Sequence, residues 1–275
     1  HTAKFFLVCI FYICKKFKLM DTRKFAMNYG AYLGLALIAI SFIVYILGLE
    51  EQKSVLISLL SYFIIFIGIG NSLIIYKNNY NDEFLSYSKY IKIGTTVAFF
   101  ASVIVAFYQL IYVNFINTEF IENALKITEQ EILNSDPEIS DENLDMALSM
   151  TQKMLQPQFL FLISLISITF QGFFISIIFL WFWGNWLLFE KANENGIFSL
   201  IPIYSLIVKL RIVGKPEWWI LLLLIPFVNL IILFVVSNEL RKCFQKDEIY
   251  ALGIFLIPFI FQARLGINND IYLKS

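Results

Sequence analysis

Five stretches of this sequence carry no acid, base or histidine: residues 25–49, 54–76, 93–118, 154–189 and 218–238. A bilayer core is about 30 Å thick, so a helix needs roughly 20 apolar residues to cross it. Each stretch meets that length, and no strand pattern competes with it. The expected fold is therefore all-α: a polytopic transmembrane helical protein with five to six spans, an interfacial or re-entrant helix, and an acidic extramembrane helical hairpin.

Composition agrees and narrows the function classes. Charged residues make up 15% of the chain, against about 25% in an ordinary soluble domain. The formal net charge is +0, so no global field draws in nucleic acid or an acidic substrate. The expected partner is the lipid bilayer, with another membrane protein as a second candidate and no nucleic acid. Cys9, Cys14 and Cys243 match no metal or disulfide spacing and read as small apolar fillers. The single histidine is His1, which leaves no histidine for a metal site or general base in the interior.

Along the chain, residues 1–19 read as an interfacial or spurious leader ahead of Met20. Their apolar run, 5–14, is too short to span, and Lys15, Lys16 and Lys18 follow it, the reverse of a signal peptide. Residues 20–185 form a four-span domain, with spans near 28–48, 55–76, 93–114 and 159–180. An acidic insert, 117–156, lies between the last two. Within it Phe120, Ala124, Leu125 and Ile127 recur at helical spacing, as do Leu144, Ala147 and Leu148. Asn134-Ser135-Asp136-Pro137 reads as a break and Ser140 as the cap of a second helix, so the insert is expected to be a helical hairpin. It serves either as a ligand or partner cap or as a plain solvated acidic face.

Residues 186–275 form a second membrane domain with proline-broken helices. The triplet Leu-Ile-Pro occurs three times, at Leu200, Leu224 and Leu256. Residues 197–210, interrupted by Pro202, suit a re-entrant or interfacial helix. Residues 219–236 read as a fifth span with Pro226 inside it, and 249–263 as a short segment broken by Pro258. Proline in a membrane helix frees a carbonyl that neighbouring helices must satisfy.

Lysine and arginine between the spans alternate so that the N-terminus is cytoplasmic and 117–156 outside. If both final segments cross, Arg241, Lys242 and Lys246 fall outside, against the same rule.

The long uncharged runs hold no ionisable group at depth, the usual pointer to a functional site. Their candidates for intramembrane polar contact are the amides Asn71, Gln109, Gln171 and Asn229; such groups either bond helix to helix or meet a solute. A serine–lysine pair is the one catalytic type the composition offers, at Ser205 and Lys209, which share a helix face. A lysine at an interface is expected to snorkel to water instead. No catalytic residue, cofactor site or metal site is assigned.

Two resemblances follow from these segments. Residues 20–180, with the start KFAMNYGAYLGLALI, three close spans, an acidic stretch and a fourth span, resemble a bacterial four-helix inner-membrane family of unknown function. Residues 187–275 carry LLFEKANENG, LIPIYSLIVKLRIVGKPEWWILLLLIPFVN and ELRKCF. They resemble a second uncharacterised bacterial membrane domain, also found ahead of the catalytic part of some type I signal peptidases. Gly214, Lys215, Pro216, Trp218, Trp219, Pro226 and Asn229 carry that likeness. No Ser/Lys catalytic domain is expected here, and the resemblance implies no peptidase activity. The expected function is a non-enzymatic, structural or accessory protein of the bacterial inner membrane. The alternatives are a transporter or channel for a small neutral solute, and a membrane anchor related to signal peptidase.

Overall fold

The computed structural model describes residues 2–49, 55–80, 86–268 and 270–273, with side chains from Thr22 onward apart from Tyr80. The chain is 85% helical with no strand among the described residues. It is a polytopic membrane protein. Four helical segments are long and apolar enough to cross a bilayer: Thr22–Ile46, Val55–Asn79, Tyr87–Ile116 and Pro157–Lys191. They belong to α1 (Thr2–Ile46), α2 (Val55–Tyr80), α3 (Tyr87–Ile111) with its π-helical extension Tyr112–Ile116, and α6 (Pro157–Lys191).

The chain forms two compact units, residues 1–72 with 93–173, and residues 73–92 with 174–275. In the first, small residues let helices meet at backbone distance. Ala98, Ala101 and Ser102 are fully buried on one face of α3. A Cβ added at Gly172 would lie 2.0 Å from the Ala98 Cβ, and one at Gly30 would lie 2.5 Å from the Phe100 Cβ. Ser102 donates to the Phe99 carbonyl at 2.7 Å and meets the Thr169 hydroxyl at 3.1 Å, so its polar group is satisfied inside the bundle. At the π-helix, the Tyr45 hydroxyl donates to the Ile116 carbonyl and its ring stands edge-on to Tyr112.

The acidic insert is the expected hairpin of α4 (Phe120–Ser135) and α5 (Asp141–Met154). The break falls at Asp136–Ser140, and the Ser140 hydroxyl accepts from the Asn143 N–H at 3.4 Å, a weak form of the N-cap that its position foretold. Neither helix has a fully buried residue.

In the second unit, the proline rule decides the architecture. The residue before a proline is pushed out of the helical region. Ile201 (φ −101, ψ 106), Ile225 (φ −91, ψ 117) and Ile257 (φ −134, ψ 63) all obey it. Each Leu-Ile-Pro triplet is therefore a turn between two short helical arms. The first turn joins a 3-10 segment, Gly196–Leu200, to α7 (Pro202–Ile212). The second joins the 3-10 segment Glu217–Leu224 to α8 (Val228–Cys243), and the third joins α9 (Glu248–Leu256) to α10 (Pro258–Ile267). The stretch 219–236, read from hydropathy as one span, is thus two arms. Pro226 lacks the N–H that a continuous helix needs, and its ring excludes the preceding carbonyl. Phe227 completes the turn at φ +66. Below the turns, Leu188, Phe189, Val208, Ile212, Leu240, Cys243 and Leu265 form a buried cluster. α10 lies hard against α6, since a Cβ at Gly266 would fall 1.8 Å from the Gly184 carbonyl oxygen.

Candidate functional site

The four candidate amides occupy unlike settings. Asn71 is exposed on α2, Gln109 half-buried on α3, and Asn229 half-buried at the second residue of α8. Gln171 donates its amide to the Ser167 hydroxyl, 2.8 Å away on its own helix. Among the described residues, none of the four bonds to another. A cleft lies elsewhere, between α4 and α5. It encloses about 320 Å³ and is lined by Glu122, Leu125, Lys126, Glu129, Asp145 and Leu148. Lys126 and Glu122 pair across one turn at 2.7 Å, which holds the Glu122 carboxyl below its usual range. This pair is solvent-exposed and contributes little.

The most organised polar constellation is in the second unit. α7 ends where Gly214 takes φ +69, with the Gly214 N–H on the Arg211 carbonyl and the Lys215 N–H on the Leu210 carbonyl. Glycine reaches that left-handed conformation without steric cost. Pro216 then opens the 3-10 segment, and the Lys215 ammonium sits 5.7 Å from the Trp219 ring centroid, while Trp218 is 57% exposed. Arg211 bridges both flanks of α7, donating to Glu194 at 3.1 Å and to Glu217 at 3.0 Å. The Glu217 hydrogen bond raises the Arg211 pKa further above its usual value, so it is a permanent cation.

Two residues before Arg211, Lys209 departs from the snorkelling expected of it. It is 7% exposed, and its ammonium donates to the Gln262 side-chain oxygen on α10 at 2.8 Å. The reason is packing: Val208, Lys209, Leu210 and Ile212 of α7 all face inward, so the side chain has no path to water. Burial pushes its pKa down to about 8. Ser205, four residues back, is also buried. The amine is engaged by an acceptor on another helix, an arrangement that holds its proton rather than aiming a lone pair at the Ser205 hydroxyl.

Sequence reasoning passed over several groups. Gln262 is the lone amide within the apolar 249–263 segment, which was the available signal. Lys191 donates to the Leu265 and Asn268 carbonyls, capping the C-terminus of α10. Asn185, 3% exposed, donates to the Trp181 carbonyl, while its Oδ1 finds no partner among the described residues. Among the described residues, no group of three His, Cys, Asp or Glu could hold a metal ion.

Against known families, residues 28–183 match the model described as "Protein of unknown function (DUF4199)". The chain belongs to this family. Residues 197–275 match a further model, "Family of unknown function (DUF5684)". Both resemblances drawn from the sequence are met: two regions of unknown function cover the chain. No enzyme family is indicated. Neither the curated proteins nor the solved structures include a match.

Proposed function

We infer that this membrane protein is a non-catalytic structural or accessory component of a bacterial inner membrane. Its N-terminus is cytoplasmic, and the α4–α5 hairpin stands on the opposite side as a docking arm for a membrane-protein partner. The observation that supports this most is the close helix packing of the first unit. Its helices meet at Gly30, Gly172, Ala98 and Ala101 with the Ser102 and Thr169 hydroxyls paired, while Gln171 bonds within its own helix. On α5, Met146, Met150 and Met154 are each at least half exposed at one-turn intervals. Methionine's flexible thioether suits an adaptable protein contact.

The experiment is a flux measurement. Full-length protein reconstituted in liposomes should give no swelling above empty vesicles with glycerol or urea. Swelling that Gln109→Leu or Gln171→Leu abolishes would replace the structural reading with the neutral-solute channel. Orientation is tested separately, by labelling a cysteine at Glu138 with an impermeant maleimide. Reaction from the cytoplasmic side would reverse the assignment.

A further inference from the structure

The three Leu-Ile-Pro turns share a geometry that hydropathy alone did not reveal. Their tips are apolar and exposed. At the first turn, Leu200 is 51% and Ile203 70% exposed; at the second, Leu224 is 78% and Phe227 81%; at the third, Leu256 is 68%. Their bases are charged and tied together. Arg211 joins the end of α7 to Glu194 and Glu217. The Tyr272 hydroxyl donates to the Ile212 carbonyl at the foot of α7, and the Leu273 N–H to the Cys243 carbonyl at the foot of α8. Lys246, between α8 and α9, pairs with Asp270 at 2.7 Å, and Lys191 caps the foot of α10. The ends of all three hairpins therefore meet in one polar layer, and the tips point away from it.

Arm lengths set how far those tips reach. The 3-10 segment Glu217–Leu224 has 8 residues, or about 16 Å at 2.0 Å per residue. Helix α8, the longest arm, has 16 residues, and α9 and α10 have 9 and 10, about 24, 14 and 15 Å at 1.5 Å per residue. A crossing needs about 30 Å. The irregular turns are also chemically fit for hydrocarbon, where an unpaired backbone group is costly. The Ile225 N–H reaches the Leu222 carbonyl, Val228 that of Pro226, Asn229 that of Ile225, and Ile257 that of Gly253.

We propose that no segment after Lys191 crosses the bilayer, and that residues 197–267 form three re-entrant hairpins whose apolar tips enter the acyl chains of a single leaflet. The occupant of these exposed apolar faces is lipid. The charged layer holding Lys191, Arg211, Arg241, Lys242 and Lys246 stays on one side of the membrane, the side on which Lys77 lies beside Trp183. This placement removes the conflict that a crossing at 219–236 creates, because the basic residues then collect on one face as the positive-inside rule requires. The proposal depends on the membrane setting alone and stands or falls apart from the scaffolding reading.

The test uses the full chain in a background lacking Cys9, Cys14 and Cys243, reconstituted in phosphatidylcholine–phosphatidylglycerol vesicles. Single cysteines replace Glu217 and Asp247, which flank the second hairpin. Both should react with an impermeant maleimide from the same face. Reaction from opposite faces would overturn the proposal. Lys215→Cys and Lys242→Cys form a second pair with the same expectation, should the first variants fold poorly. A bimane label on Leu224→Cys should be quenched by phospholipid brominated on its acyl chains and shielded from aqueous iodide. Quenching by iodide in place of bromolipid would refute the insertion of the tips, even with both flanks on one side.

Discussion

Replacing Gly172 with alanine tests the close approach of α3 and α6. The new Cβ would sit 2.0 Å from the Ala98 Cβ, whereas an unstrained carbon–carbon contact is about 3.5–4.0 Å. The helices must part locally by about 1.5–2 Å, and such overpacking costs about 1–3 kcal/mol. Alanine's better helix propensity returns about 1 kcal/mol. A contact as short as 2.0 Å belongs in the upper part of the overpacking range, about 2–3 kcal/mol, so the expected net effect is a loss of about 1–2 kcal/mol, read as earlier loss of the monodisperse peak when detergent-solubilised protein is heated before size exclusion. Geometry also predicts a rescue. With Ala98→Gly the nearest remaining atoms are the Ile69 Cδ1 at 3.4 Å and the residue 98 Cα at 3.5 Å, ordinary contacts both. The double variant should therefore recover most of the loss, giving a coupling of about 1 kcal/mol or more in a double-mutant cycle. A Gly172→Ala protein as stable as the original, or a double variant no better than Gly172→Ala, would show that the helices do not pack this closely.

Lys209 carries a pH signature. Its pKa falls from 10.5 to about 8 on folding, so the unfolded chain holds the proton more tightly between those values and stability should rise with pH across that window, by about 3 kcal/mol in all. Lys209→Met should flatten that rise relative to the original protein, and an unchanged slope would mean the amine is solvated. Gln262→Leu removes the acceptor and should destabilise by about 1–3 kcal/mol near pH 7, with less effect at pH 10, where the amine is neutral. Ser140→Ala should loosen the hairpin by about 0.5–1 kcal/mol, at the low end because the cap is long at 3.4 Å, seen as faster amide exchange at Asn143 and Leu144.

What hydropathy could read, it read well. The charge-free runs located α1, α2, α3 and α6, and the turn residues 134–137 placed the break between α4 and α5. Helical periodicity and capping are local, so the chain displays them directly. The 219–236 stretch reads as one helix by hydropathy, which is blind to a single imino acid; the structure divides it into two arms at Pro226. The recurrence of Leu-Ile-Pro was visible, but its meaning lay in which ends the tail gathers together. Lys209 is a similar case. Nothing local distinguishes a lysine that reaches water from one that α10 covers, since Gln262 lies 53 positions further on.

The contacts made by residues 270–273 have a consequence for biosynthesis. Asp270, Tyr272 and Leu273 clasp Lys246, Ile212 and Cys243, and they leave the ribosome only after the hairpins that they fasten. The hairpins must therefore wait at the membrane with their feet unfastened, and a stalled or truncated translation product would present three loose apolar loops to the quality-control proteases.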